Sequence, residues 1–214
     1  MTRLVRVALP AILAVTALAF AGHRIVTAAD HLDPPARTDP NVDPTPDRAA
    51  DIADIYAFHD ADNLVLALTF GGPAATNVPA FYDRDVFYTL DISNGGSRAD
   101  IELSIGIKFG FDGNNPGVLV TGLPGGPISG PVETNLRSGD IFVRAGLFDD
   151  PFFFDSQGLR ESRQSGMLMF DNTRNFFGNQ NITAVVIQLP RSIVENGDNP
   201  IDISSTTSRL GGQL

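Results

Sequence analysis

Nine aspartates fall between residues 30 and 62, at positions 30, 33, 39, 43, 47, 51, 54, 60 and 62, and no glutamate joins them. Short carboxylates set among prolines suit two kinds of chemistry. They can ligate a hard cation such as Ca²⁺, which takes roughly six to eight oxygens, or they can cap turns by accepting backbone N–H bonds. A second acidic cluster is Asp149-Asp150-Pro151, adjacent carboxylates in a proline-rigidified turn, with Asp155 five residues on and Phe152, Phe153 and Phe154 between. Neighbouring carboxylates raise one another's pKa, which a general acid needs. The candidate metal ligands are Asp30, His31, Asp33, Asp51, Asp54, Asp149 and Asp150. A catalytic zinc site needs only three protein ligands, so His31, His59 and one aspartate would suffice if the segment around residue 31 folds back on the first strand. The run Asp39-Pro40-Asn41-Val42-Asp43 resembles the first half of a Ca²⁺ loop, but Pro44 stands where that loop needs glycine and its closing glutamate is missing.

Other chemistries find no support in the residues. The chain has no cysteine, so thiolate chemistry and disulfide staples are excluded. No G-x-S-x-G, G-x-x-x-x-G-K-[ST] or G-x-G-x-x-G pattern occurs, so neither a serine nucleophile nor a nucleotide cofactor is indicated, and no catalytic residue is assigned.

Residues 1–29 read as a secretory signal peptide. Arg3 and Arg6 precede an apolar stretch from Val7 to Gly22, and small residues lead to a cut after Ala28 or Ala29. Sixteen apolar residues fall short of the roughly 20 that span a bilayer. The expected location is therefore secreted or periplasmic, with no membrane span in the mature chain. Removing three arginines with the signal leaves 12 basic against 25 acidic residues, which argues against nucleic acid and anionic membrane as partners.

The elements that must position these side chains are strands. Only 4 of the 25 acids are glutamate, and aspartate is a turn residue depleted in strands and mediocre in helices. Strand signals recur at 63–70, 85–92, 101–109, 117–121, 140–145 and 182–189. Several alternate with period two, as in Ile101, Leu103, Ile105, Ile107 and Phe109. Gly- and Pro-rich turns at 94–96, 112–117 and 124–127 separate them. Short helical turns are expected at 159–165 and after Pro190. Tyr56 and Phe58 share one strand face, expected to be the core side, after a turn at 51–55. The pattern predicts an all-β fold, an antiparallel β-sandwich or jelly-roll-like domain over 51–214, with residues 30–50 as an extended Asp/Pro-rich arm.

Four separated motifs carry a family resemblance. They are Asp30-His31-Leu32-Asp33-Pro34-Pro35, Asp51-x-x-Asp54-x-Tyr56-Ala57-Phe58, Ala145-Gly146-x-x-Asp149-Asp150-Pro151-Phe152-Phe153, and Phe177-Gly178-Asn179 ahead of an apolar strand ending in Pro190. In order and spacing the chain resembles the exported bacterial family called domain of unknown function 4331. It departs from it by stopping at Leu214, where members often continue. The resemblance implies an exported β-rich fold and supplies no catalytic assignment.

Taken together, the residues point to an exported, non-catalytic β-sandwich domain that holds a divalent cation, most simply Ca²⁺, and binds an extracytoplasmic partner. Two alternatives stay open. One is a metal- or carboxylate-dependent hydrolase of a polysaccharide or phosphoester using Asp149, Asp150 and Asp155, whose paired carboxyls would stand about 5 Å or 6.5–9.5 Å apart if it cut glycosidic bonds. The other is a structural subunit of a surface assembly.

Overall fold

The computed structural model describes residues 34–37, 41 and 44–210. The strands, in chain order, are β1 (Ile52–His59), β2 (Asn63–Ala75), β3 (Val86–Ser93), β4 (Leu103–Asp112), β5 (Asn115–Thr121), β6 (Ile128–Pro131), β7 (Leu136–Ser138), β8 (Ile141–Asp149), β9 (Gln180–Pro190) and β10 (Asp202–Arg209). They form two antiparallel five-stranded sheets, ordered β1-β2-β9-β8-β7 and β10-β3-β4-β5-β6. The protein is thus an all-β sandwich with few short helices. The sheets approach each other at both edges, where β1 lies near β10 and β6 near β7. One α-helix, α1 (Ser156–Ser165), occupies the excursion between β8 and β9, and short 3₁₀ turns lie at Arg48–Ala50 and Arg191–Ile193. Among the described residues, no helix is long and apolar enough to cross a membrane.

The period-two pattern decides which side of each strand enters the core. On β2, Leu64, Leu66, Leu68 and Phe70 point inward. On β4, Ile105, Ile107 and Phe109 do so, while Lys108 between them stays exposed. Tyr88, Leu90 and Ile92 of β3 and Val185, Ile187 and Leu189 of β9 complete the contact between the sheets. Phe70, Tyr88 and Phe109 meet as an aromatic group, with ring centroids 4.5 Å apart for Phe70–Tyr88 and 5.8 Å for Phe70–Phe109. Such pairing adds to their area burial.

Several expectations need correction. Tyr56 and Phe58 do share a face, but it is the outer face. Ile55 pairs with the core residue Leu68, while Tyr56 and Phe58 pair with Ala67 and Val65, and Phe58 is 58% exposed. The expected turn at 51–55 is already strand from Ile52. The turn expected at 112–117 contracts to Gly113-Asn114, because Asp112 pairs directly with Asn115. Strands β6, β7 and β10 carry too few apolar residues to be seen by alternation, and pairing with their neighbours creates them.

Strand β2 runs past its expected end because a bulge at Gly71-Gly72 lets pairing with β9 resume at Ala74. Gly71 has φ +83°, and a Cβ there would stand 2.8 Å from the Phe81 ring, so only glycine fits. Its N–H donates to the Asp51 carbonyl at 2.9 Å, which fixes where the chain enters β1.

Candidate functional site

Two of the acidic clusters approach each other at one end of the first sheet. Asp54 lies on the outer face of β1, paired with Thr69. The Asp54 N–H donates to Thr69 Oγ1 at 3.0 Å, and that hydroxyl donates back to the Asp54 carbonyl at 3.3 Å. Two residues on, the Tyr56 hydroxyl donates to Asp54 Oδ2 at 3.1 Å. Burial, then the Asp54 charge and hydrogen bond, then the Asp150 charge all push the Tyr56 hydroxyl well above the usual phenol range. Tyr56 thus feels carboxylates from both halves of the proposed set, the β1 entry and the end of β8.

Asp149 and Asp150 do not act as a facing pair. Asp149 ends β8 opposite Asn181 and is exposed. Asp150, the next residue along an extended chain, turns the other way and is buried. Its N–H donates to the Gln180 carbonyl at 2.9 Å, and its Oδ1 accepts the Phe152 N–H at 3.0 Å. This is an Asx turn that starts the excursion.

Asp155 serves structure. It caps α1, accepting the Gly158 N–H at Oδ1 (2.9 Å), and its Oδ2 accepts the Asp171 N–H (2.8 Å). The Arg174 guanidinium reaches the same Oδ2 at 2.8 Å. Burial works to raise the carboxyl's pKa, but these donors outweigh it and hold it below the usual range.

The remaining candidates are spread out. Asp51 is buried between the first 3₁₀ turn and β1. His59 ends β1, exposed, with ring Nδ1 3.0 Å from the Asp60 carbonyl. Five residue steps along the strand separate it from Asp54, roughly 16 Å at ~3.3 Å per residue, so the two do not share a site. Asp60 closes the β1–β2 turn by accepting the N–H groups of Asp62 (2.8 Å) and Asn63 (2.7 Å). Asp30, His31, Asp33, Asp39 and Asp43 lie outside the described residues. Among the described residues, no three His, Asp or Glu side chains gather closely enough to hold a metal ion.

Sequence reasoning passed over the most exposed apolar feature. After α1 ends at Gly166, in the left-handed conformation of a helix C-cap, the chain displays Met167 (64% exposed), Leu168 (87%), Met169 (42%) and Phe170 (53%), with Phe153 and Phe176 also exposed. The tip is held firmly from below. The Met169 N–H donates to Ser162 Oγ at 2.8 Å, and Arg174 donates to the Met169 carbonyl at 2.8 Å. Behind it Phe152 packs against Phe177, with centroids 5.2 Å apart. The available signal was a four-residue apolar run directly after a helix-ending glycine, too short for a strand of its own and without helical spacing.

No family model, no curated protein and no solved structure matches the chain.

Proposed function

We propose that the chain is an exported, non-catalytic β-sandwich domain that docks an extracytoplasmic protein partner through the 167–170 tip and is stabilised by a divalent cation near Asp54 and Asp150. The observation that carries the docking role is Leu168, 87% exposed between Met167, whose N–H donates to Ser165 Oγ at 3.2 Å, and Met169, whose N–H and carbonyl are both bonded. Four successive exposed apolar side chains, Met167 to Phe170, form the kind of contiguous patch that marks an interaction site. Partners engaging such an anchor need no ordering of the loop, so less binding energy is lost to entropy.

The cation part rests on Asp54 and Asp150 acting on the same phenol. Two carboxylates supply part of the roughly six to eight oxygens Ca²⁺ takes, and Asp30, His31 and Asp33 are the proposed remainder. Against the hydrolase alternative stand two features: Asp155 is taken up by a helix cap and an arginine, and Asp149 and Asp150 face opposite ways. Kinship with domain of unknown function 4331 belongs to the same proposal and rests on the four quoted motifs alone.

The test expresses the full chain and its Leu168→Ser variant in an exporting bacterial host and compares their retention on the cell-envelope fraction. The variant should melt at the same temperature and be lost from the envelope. Equal retention of the two would reject the tip as the docking element.

A further inference from the structure

We propose that the outer face of the β10-β3-β4-β5-β6 sheet binds a neutral, hydroxyl-rich polysaccharide strand. This goes beyond the docking role of the tip: it lies on the other sheet and shares no residue with it.

Register brings a chain of hydroxyls together on this face. Asp91 of β3 pairs with Ser104 of β4 and Ser204 of β10, and Thr89 pairs with Thr206. Ser104 donates to Asp91 Oδ1 at 2.5 Å and Thr89 to Oδ2 at 3.2 Å. With the Thr89 proton committed to the carboxylate, the 2.8 Å contact between Thr89 and Thr206 must have Thr206 donating. The order is fixed by donor count. Ser104, Thr89 and Thr206 then each have a proton committed within the chain and lone pairs left over, which suits a ligand that offers many O–H donors.

Beside this chain an aromatic ring leans across the sheet. Phe87, 39% exposed, reaches over Gly106, where a Cβ would meet the ring's Cζ at 2.7 Å and Thr121 Oγ1 at 2.7 Å. Glycine at 106 is what lets the ring lie along the sheet surface. The weakly positive C–H face of a sugar ring packs on the negative face of such an aromatic ring.

Two shallow depressions on this face share Lys108, and Phe87 borders the first of them. One, of about 230 Å³, is bordered by Phe87, Lys108, Ser208 and Leu210. The other, of about 310 Å³, runs from Lys108 over Gly110 and Gly117 to Leu119 and Ser129. Gly110 and Gly117 are paired neighbours facing outward, so that stretch is bare of side chains, and a Cβ on Gly110 would meet nothing within 4 Å. Five strands at ~4.8 Å spacing make the crossing roughly 19 Å long, room for several sugar rings.

Charge selects the class of ligand. Lys108 is the chain's single lysine, Asp85 borders the same depression, and Asp91 is engaged by its own hydroxyls. With Asp112 at the end of β4 and Asp202 paired to Arg98 at the β10 edge, the face carries a small excess of negative charge, so it disfavours a polyanion and leaves an uncharged, hydroxyl-rich polymer as the ligand its acceptors suit. Phe87 and Leu119 are separated by Lys108 and partly covered, unlike the central desolvated anchors of a protein interface.

The test is native affinity electrophoresis of the full chain in gels containing xylan, mannan, starch or hydroxyethyl cellulose, with polygalacturonate as the charged control. At least one neutral glycan should retard the protein and polygalacturonate should not. Phe87→Ala should weaken retardation about tenfold, the order of one lost stacking contact, with an unchanged melting temperature. Lys108→Met, on an exposed position, serves as a second variant and should weaken it too. Leu168→Ser should bind glycan like the parent, so the two surfaces succeed or fail separately. No retardation by any neutral glycan, equal retardation of Phe87→Ala and parent, or stronger retardation by polygalacturonate would each overturn the assignment.

Discussion

At the scale of single residues, the acidic side chains sort by what they touch. Asp60 and Asp155 spend their oxygens on backbone N–H groups, while Asp54 and Asp150 act together on Tyr56. The latter pair is where a bound cation would show. Millimolar Ca²⁺ should raise the melting temperature of the exported chain relative to an EDTA-treated sample, because a ligand specific for the folded state stabilises it by mass action. Asp54→Asn or Asp150→Asn should remove that difference. Coincident melts of the parent with Ca²⁺ and with EDTA would sink the cation reading while leaving the tip and the glycan face untouched. The clustering of aspartates was plain in the sequence. That Asp149 and its neighbour point apart was also implied by extended-chain geometry, once β8 is known to run to Asp149.

At the scale of elements, the 150–180 excursion is a unit built on Asp155. Its carboxyl titrates below the ordinary value of 3.8, as does that of Asp171, which accepts from the Thr173 hydroxyl and N–H. A depressed folded-state pKa contributes stability that is fully present above the unfolded value and is lost as pH falls through the folded one. The excursion should therefore loosen below about pH 3.8, read as faster amide exchange and pepsin cleavage near Met167–Phe170 than in the sheets. Asp155→Ala should cause the same loosening at neutral pH, raising local opening roughly tenfold or more, since a cap and a charge-assisted bond go together. Unchanged exchange in that variant would show that the Phe152–Phe177 packing holds the excursion by itself. The helix was half visible in the sequence, from residue 159 onward. Its first turn was not, because Ser156-Gln157-Gly158 carries no apolar spacing and only the Asp155 cap starts it.

At the scale of the whole molecule, a buried ion-pair network ties distant parts of the chain together. Arg209, at the end of β10, makes two 2.5 Å bonds to the Asp47 carboxylate and reaches Asp83 Oδ2 at 2.9 Å. Asp47 is 4% exposed. Nearby, the Tyr88 hydroxyl donates to the Ala49 carbonyl, and Thr207 Oγ1 donates to the Ala50 carbonyl at 2.9 Å. The segment before β1 is thereby fastened to the adjoining edge of the second sheet. Arg209→Met strips Asp47 of that partner and should cost about 3–5 kcal/mol, measured by urea unfolding. Arg209→Lys should recover only part of it, because an ammonium cannot reproduce the two-pronged contact. A loss below about 1 kcal/mol would mean that the network is as weak as an exposed pair.

By itself the sequence determined the class of fold and the sides of its main strands. Period-two alternation at 63–70 and 101–109 is local information, and burying one face of each strand leaves a sandwich as the natural outcome. The sequence also marked the aspartate clusters as the places where cations or caps would sit. What it left undecided needed long-range pairing. Strand β10 exists because Ser204, Thr206 and Ser208 line up against Asp91, Thr89 and Phe87, more than a hundred residues earlier. Only that register turns scattered serines and threonines into a hydroxyl-lined face. Likewise, nothing local distinguishes Asp54 beside Tyr56 from Asp60 in its turn; the sheet order β1-β2-β9-β8 brings the end of β8 toward one and not the other. Side-chain type is written residue by residue, but which side chains share a surface depends on strand order and register, and contacts far apart in the chain set both.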